Sequence, residues 1–234
     1  MSDQDRIHDL EETLSLLRHE LTTPLTVIET ALDALEKQRD RLPADSRELV
    51  GAGRRQLRVA QAIVDDLHVA GQDELTLDLE RVDLGELVSE YVDDLDRVFV
   101  DGHEIVLRVP DEEVPLTVDV TRIRQLLRNL LDNADKYSPD DEPIHVDVVT
   151  EDDAALLWIT DSGDGVAPED AERIFEHYVT GDHARSGLGL GLAISRRIAQ
   201  AHAGGLAVTD APNGSGARFV LELPLTASGV QSTD

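Results

Sequence analysis

The chain holds 234 residues, 41% of them hydrophobic, enough to build one large domain or two small ones. It has no cysteine, which excludes disulfides and thiolate metal sites and leads us to expect a reducing, cytoplasmic setting. The formal charge of -28, from 49 acidic against 21 basic residues, would repel nucleic acid and anionic lipid; no apolar run reaches the roughly 18 residues of a membrane span, and the acidic start MSDQDRIHDLEE lacks the apolar stretch of a signal peptide.

From Ile7 the apolar positions step by three and four, through Leu10, Leu14, Leu17, Leu21, Pro24, Ile28, Ala31 and Leu35, which predicts a long helix with a heptad seam. Leu25 and Leu32 widen the stripe beyond that of a two-stranded coil. Residues 39–46, with Pro43, read as a hairpin loop. Leu49, Leu57, Ala60, Ile63, Val64 and Leu67 then mark a second amphipathic helix ending near Gly71. Two helices cannot bury such stripes alone, so residues 1–72 are expected to join a second copy in a homodimeric four-helix bundle. His19 falls two positions past the inward Leu17, on the solvent face, and is followed by Glu20, Thr23 and Pro24. A neutral imidazole is a good nucleophile, and an adjacent carboxylate can orient it or take up its proton. Pro24 removes a backbone donor and is expected to kink the helix just beyond. A zinc protease would need a second histidine at position 23, where Thr stands.

Beyond residues 71–74 strands and helices alternate, which predicts a second domain of α+β type over 75–225, with 226–234 as a disordered tail. Strands are expected at Leu75–Leu79, Glu104–Val109, Ile144–Val149, Ala155–Thr160, Leu206–Thr209 and Ala217–Leu223, and helices at Leu84–Phe99, Val118–Tyr137 and Gly189–Ala203. In RQLLRNLLDNADKY, Asn129 and Asn133 stand one turn apart on a face shared with Lys136. DSGDGV follows the strand ALLWIT as a tight turn. GLGLGLAI opens a helix whose N-terminus would offer N–H groups and dipole to phosphate, although Leu192 breaks the dinucleotide-binding glycine spacing. Gly214 and Gly216 read as a hairpin turn without chemistry.

In this order and spacing, RHELTTPL, the two asparagines, DSGDGV, IFEHYVTGDHARS and GLGLGLAI resemble the H, N, G1, F and G2 boxes of sensor histidine kinases, over residues 15–224. The resemblance implies that the second domain is a Bergerat-type α/β sandwich binding Mg-ATP, the fold shared with gyrases, mismatch-repair ATPases and a heat-shock chaperone. It implies that His19 is the phospho-acceptor, Glu20 its acid–base or orienting neighbour, and Thr23 the residue that places water for removing phosphate from a partner. By the same resemblance Asn133 would bind Mg²⁺, Asn129 and Lys136 would meet the phosphates, and Tyr137 would line the nucleotide. Asp161 would accept from the adenine amino group, with Gly163 and Gly165 letting backbone approach the base. Gly187, Leu188, Gly189 and Gly191 would surround the phosphates, and residues 175–186, with Phe175 beside Ile174 of the F box, would form a mobile lid. Leu188 replaces a common Thr or Ser, and Arg18 a common small residue. His177 and His183 are read as exposed lid residues, not metal ligands.

The implied function is ATP-dependent autophosphorylation of His19 and transfer to an aspartate on a response regulator receiver domain, with possible removal of phosphate from that aspartate. Only eighteen residues precede His19, so the sensory input is expected from another domain or chain. One alternative is an ATPase of the gyrase or chaperone kind, which would carry a water-activating Glu where Asn129 stands. Another is a dimeric scaffold that binds nucleotide without catalysis. Lys37 and Lys136 are the two lysines against nineteen arginines, and with the acid excess the surface resembles that of a salt-adapted, haloarchaeal-type protein.

Overall fold

The computed structural model describes residues 3–70, 75–96, 103–139, 141–176, 190–212 and 214–225, in two compact units, Met1–Glu74 and Leu75–Asp234. In the first unit, helix α1 (Asp3–Glu36) runs through Pro24 without interruption, and a 3-10 turn at Arg39–Arg41 leads into helix α2 (Ala44–Ala70). The expected loop is thus shorter than 39–46. The Thr26 hydroxyl donates to the Thr22 carbonyl at 2.9 Å and the Thr30 hydroxyl to the Thr26 carbonyl at 2.8 Å, the i−4 back-bonds that hydroxyl side chains make within a helix. Val50, Leu57 and Val64 are buried on α2 at seven-residue spacing, with Leu25 and Leu32 half-buried on α1. Leu49, expected in the apolar set, points out instead, and Val50 takes the inward place. Arg54 pairs with Asp33 at 2.9 Å, and Gln61 donates to Glu29 at 3.1 Å, fixing the register of the two helices.

The second unit is α+β, as expected. Its five-stranded mixed sheet has the order β2-β4-β5-β7-β6, formed by β2 (Ile105–Arg108), β4 (Ile144–Glu151), β5 (Ala154–Thr160), β6 (Gly205–Asp210) and β7 (Ala217–Pro224). β2 runs parallel to β4 and the other pairs are antiparallel. Alternation sends Ala155, Leu157 and Ile159 of β5 and Phe219, Leu221 and Leu223 of β7 into the core. They meet helix α4 (Val120–Tyr137), through Ile123, Leu126, Leu127 and Leu130, and helix α5 (Gly191–Ala201), through Ile194 and Ile198. Each such Leu or Ile is worth about 1.5–3 kcal/mol for its removal from water.

Strand β1 (Glu80–Asp83) pairs antiparallel with β3 (Pro115–Val118), and helix α3 (Leu84–Asp96) follows β1 directly. This small sheet corrects two expectations. Residues 75–79 are not a strand: with Glu80 opposite Val118, Leu79 would have to pair with Asp119, which is the N-cap of α4. Asp78 N–H donates to that cap's Oδ2 at 3.1 Å in place of a strand partner. For the same reason α4 begins at Val120 and not Val118, which belongs to β3. The expected helix end at Phe99 and the tail 226–234 lie outside the described residues.

Candidate functional site

α4 presents Asn129, Asn133 and Lys136 along one stripe because these positions are four and three residues apart on a helix of 3.6-residue period. Asn129 Nδ2 donates to the Gly191 carbonyl at 3.1 Å and so ties α4 to the first turn of α5. Asn133 and Lys136 are half-buried, and the Lys136 ammonium lies 4.8 Å from the centre of the Tyr137 ring. Tyr137 is exposed. The helix stops where Ser138 N–H bonds the Ala134 carbonyl and Pro139 follows.

At this helix end lies the turn after β5. Asp161 is buried at 5% exposure, and its Oδ1 accepts from Gly163 N–H at 2.9 Å and from Ala217 N–H at 3.0 Å. Among the described residues nothing donates to Oδ2. Gly163 is required by proximity: a Cβ there would lie 2.5 Å from the Tyr137 carbonyl oxygen. Ser162 N–H donates to Ser138 Oγ at 3.3 Å, which also ties the turn to the end of α4. The turn that carries Asp161 is thus tied to the C-terminal end of α4, the helix whose last two turns carry Asn133, Lys136 and Tyr137.

Phe175 departs from its expected place in a mobile lid. It is buried, edge-on to Phe219 with ring centres 6.4 Å apart, and the Arg196 guanidinium covers its ring at 4.8 Å. Arg196 also pairs with Glu172 at 2.7 Å, so the 3-10 turn Arg173–Phe175 is fastened to α5 and β7. Lid positions 177–186, with His177 and His183, and the glycine-box residues Gly187, Leu188 and Gly189 lie outside the described residues. His19 belongs to α1 in the other unit and its side chain is likewise outside the description; Glu20 and Thr23 on that helix are exposed.

The family model "His Kinase A (phospho-acceptor) domain" matches residues 9–75, and "Histidine kinase-, DNA gyrase B-, and HSP90-like ATPase" matches residues 118–227. This chain belongs to the histidine kinase family. Among its relatives is the adaptive-response sensory kinase SasA of Trichormus variabilis, 32% identical across 93% of this chain and 58% of that protein. This histidine kinase chain thus spans little more than half the length of that curated relative. The structure of full-length ShkA in complex with AMPPNP matches with a TM-score of 0.65 at 30% identity, over 91% of this chain and 45% of that one. The mycobacterial sensor histidine kinase MprB matches with a TM-score of 0.54 at 30% identity, over 62% of this chain and 96% of its own.

In this histidine kinase the sequence picked out the α4 stripe and Asp161 but missed Ser138, Gly216 and Ala217, which hold the aspartate's turn. The signal for Ser138 was the Ser-Pro that ends α4. Gly216 was legible as a turn glycine, but nothing local ties it or Ala217 to Asp161, because that approach is made through strand pairing.

Proposed function

We propose that this chain uses Mg-ATP to phosphorylate His19 and passes the phosphoryl group to an aspartate on a response regulator receiver domain. The observation that carries the nucleotide half is the buried Asp161 carboxylate, held by two backbone N–H groups on one oxygen, in a turn tied to the end of the helix that carries Asn133 and Lys136. A carboxylate oriented in this way suits an amino-bearing base, and its distance from solvent strengthens the hydrogen bond it makes. ShkA, bound to an ATP analogue, supports the same ligand here. Lys136 would offset phosphate charge, and Mg²⁺ when bound would neutralise more, with Asn133 as its protein ligand. Among the described residues no three carboxylates or histidines converge on a metal position, so the remaining ligands would be phosphate and water.

An imidazole nitrogen of His19 would attack the γ-phosphorus, ADP would leave, and Glu20, exposed one position on, would receive the proton or orient the ring. Thr23 would serve the reverse task of placing water for the partner's dephosphorylation. A homodimer through α1 and α2 is supported by Leu21, Ile28 and Leu35, which the hairpin leaves 40–47% exposed along the heptad seam. The reading implies a cytoplasmic location, where ATP is available. An ATPase of the gyrase kind is disfavoured, because Asn129 replaces the water-activating Glu and its amide is engaged by Gly191.

Incubation with Mg-ATP labelled at the γ-phosphate should place acid-labile, base-stable label on the wild type. His19→Gln should take up none while still binding nucleotide, since the ATP residues lie in the other unit. Asn133→Ala should weaken Mg-ATP far more than metal-free adenosine. A His19→Gln chain labelled as well as wild type would remove His19 from the reaction.

A further inference from the structure

The turn between β6 and β7 reaches back to the candidate adenine-reading residue. Gly216 has φ +97°, and a Cβ there would run into the Asp161 carbonyl oxygen and lie 2.7 Å from its carbon and 3.0 Å from Oδ1. The next residue, Ala217, donates to Asp161 Oδ1 at 3.0 Å and accepts from Asp161 N–H at 2.9 Å. Ser215 Oγ donates to the Gly163 carbonyl at 3.3 Å. Residues 215–217 therefore hold both the backbone and the side chain of Asp161, as well as the turn that follows it.

A carboxylate with one oxygen free can rotate about its side-chain torsions, and its second oxygen then has no set direction. Two N–H groups converging on Oδ1 remove that freedom, which leaves Oδ2 as a fixed acceptor. The convergence requires β7 to approach Asp161 closer than any side chain would permit. We propose that Gly216 is a positioning residue for base recognition: it admits Ala217 N–H to Oδ1, so that Oδ2 is presented to the exocyclic amino group of adenine. The inference rests on the reading of Asp161 as the adenine acceptor. Alanine at 216 would push the strand start away, lengthen the Ala217 bond and let the carboxylate swing, while the phosphate contacts of Asn133 and Lys136 stay in place.

Gly214 supplies the control. It too has a positive φ, +81°, but a Cβ there meets nothing within 4 Å. Alanine at 214 strains the same turn without touching Asp161.

Calorimetry on the full chain should compare Mg-ATP with the inosine analogue, which carries a carbonyl oxygen where ATP carries the amino group. Wild type should prefer ATP by about tenfold or more, the scale of a hydrogen bond to a charged acceptor. Gly216→Ala and Asp161→Asn should each bring that ratio close to one or below it, and Gly214→Ala should keep it. If Gly216→Ala melts at a lower temperature but keeps the wild-type ratio, Gly216 is structural and the proposal is overturned. If Asp161→Asn keeps the ratio, the adenine reading itself is wrong and the positioning role falls with it. Should Gly216→Ala not fold, amide exchange on the nucleotide-free wild type decides. Ala217 N–H exchanging as slowly as its β7 neighbours supports a preformed clamp, and exchange at the rate of an exposed loop overturns it.

Discussion

Asp119 closes the start of α4 by accepting Arg122 N–H on Oδ1 at 3.0 Å, and its own N–H donates to Nε2 of His202 at 3.0 Å. An N–H donor at Nε2 requires that nitrogen to be bare, so the ring proton sits on Nδ1 and is given to the Ile198 carbonyl at 2.8 Å. His202 thus joins the end of α5 to the start of α4 in its neutral form. Burial pushes its pKa below the ordinary histidine value, outweighing the opposing effects of the Ile198 bond and the Asp119 charge. The unfolded chain then binds the extra proton more readily than the folded one, so stability from this group is complete above about pH 6.5 and is lost as pH falls below it. Thermal melts of wild type should drop between about pH 7.5 and about pH 5.5, and those of His202→Leu should drop less, from a lower start. Equal drops in both proteins would mean that His202 does not titrate between the two states. No local pattern in AHAGG announces this role, which depends on a partner 83 residues away. DSGDG, by contrast, was legible because its turn chemistry lies within five consecutive residues.

The long helices and core strands were readable because their burial follows the periods of 3.6 and 2 that apolar residues trace in the sequence. The small β1–β3 sheet was not, since β1 has no fully buried position and β3 runs almost directly into α4, whose apolar pattern absorbs Val118. Leu75 and Leu77 alternate like a strand, yet the start of α4 occupies the place where their partners would stand. In the hairpin the seam was legible, but which helix faces it was not. Leu25 and Leu32 turn toward α2, leaving Leu21 at 43%, Ile28 at 47% and Leu35 at 40% exposure in a row of seven-residue spacing. That row is too regular for scattered surface leucines and predicts a partner helix from a second copy. Light scattering on the full chain should give twice its 25.7 kDa mass, and Ile28→Glu should return it to the monomer by burying a charge in the seam. A wild-type chain that stays monomeric at high concentration would leave the exposed leucines without a purpose.

At the scale of the whole molecule, charge sets the conditions under which the rest can operate. With 49 acidic and 21 basic residues, 28 acidic side chains have no basic residue to match them one to one, and folding brings these like charges closer together. The arginines do take carboxylate partners, as in Arg173–Asp170 at 2.9 Å and Arg124–Glu90 at 3.1 Å, but each partnership at an exposed site is worth only about 0–1 kcal/mol. Salt weakens both these attractions and the repulsions, and the excess of like pairs decides the balance. Raising KCl from about 0.1 M to about 1 M contracts the screening length from ~10 Å to ~3 Å, below the spacing of neighbouring surface charges. The melting temperature should therefore climb steadily across that range, whereas a protein held together by its ion pairs would lose stability. Matched concentrations of a neutral osmolyte separate screening from general solute exclusion, because sugar leaves the repulsion untouched. Labelling of the chain by Mg-ATP should rise in parallel with the folded fraction measured by circular dichroism. A melting temperature that is flat or falling in KCl would mean that the acidic coat is spaced widely enough to cost the fold nothing.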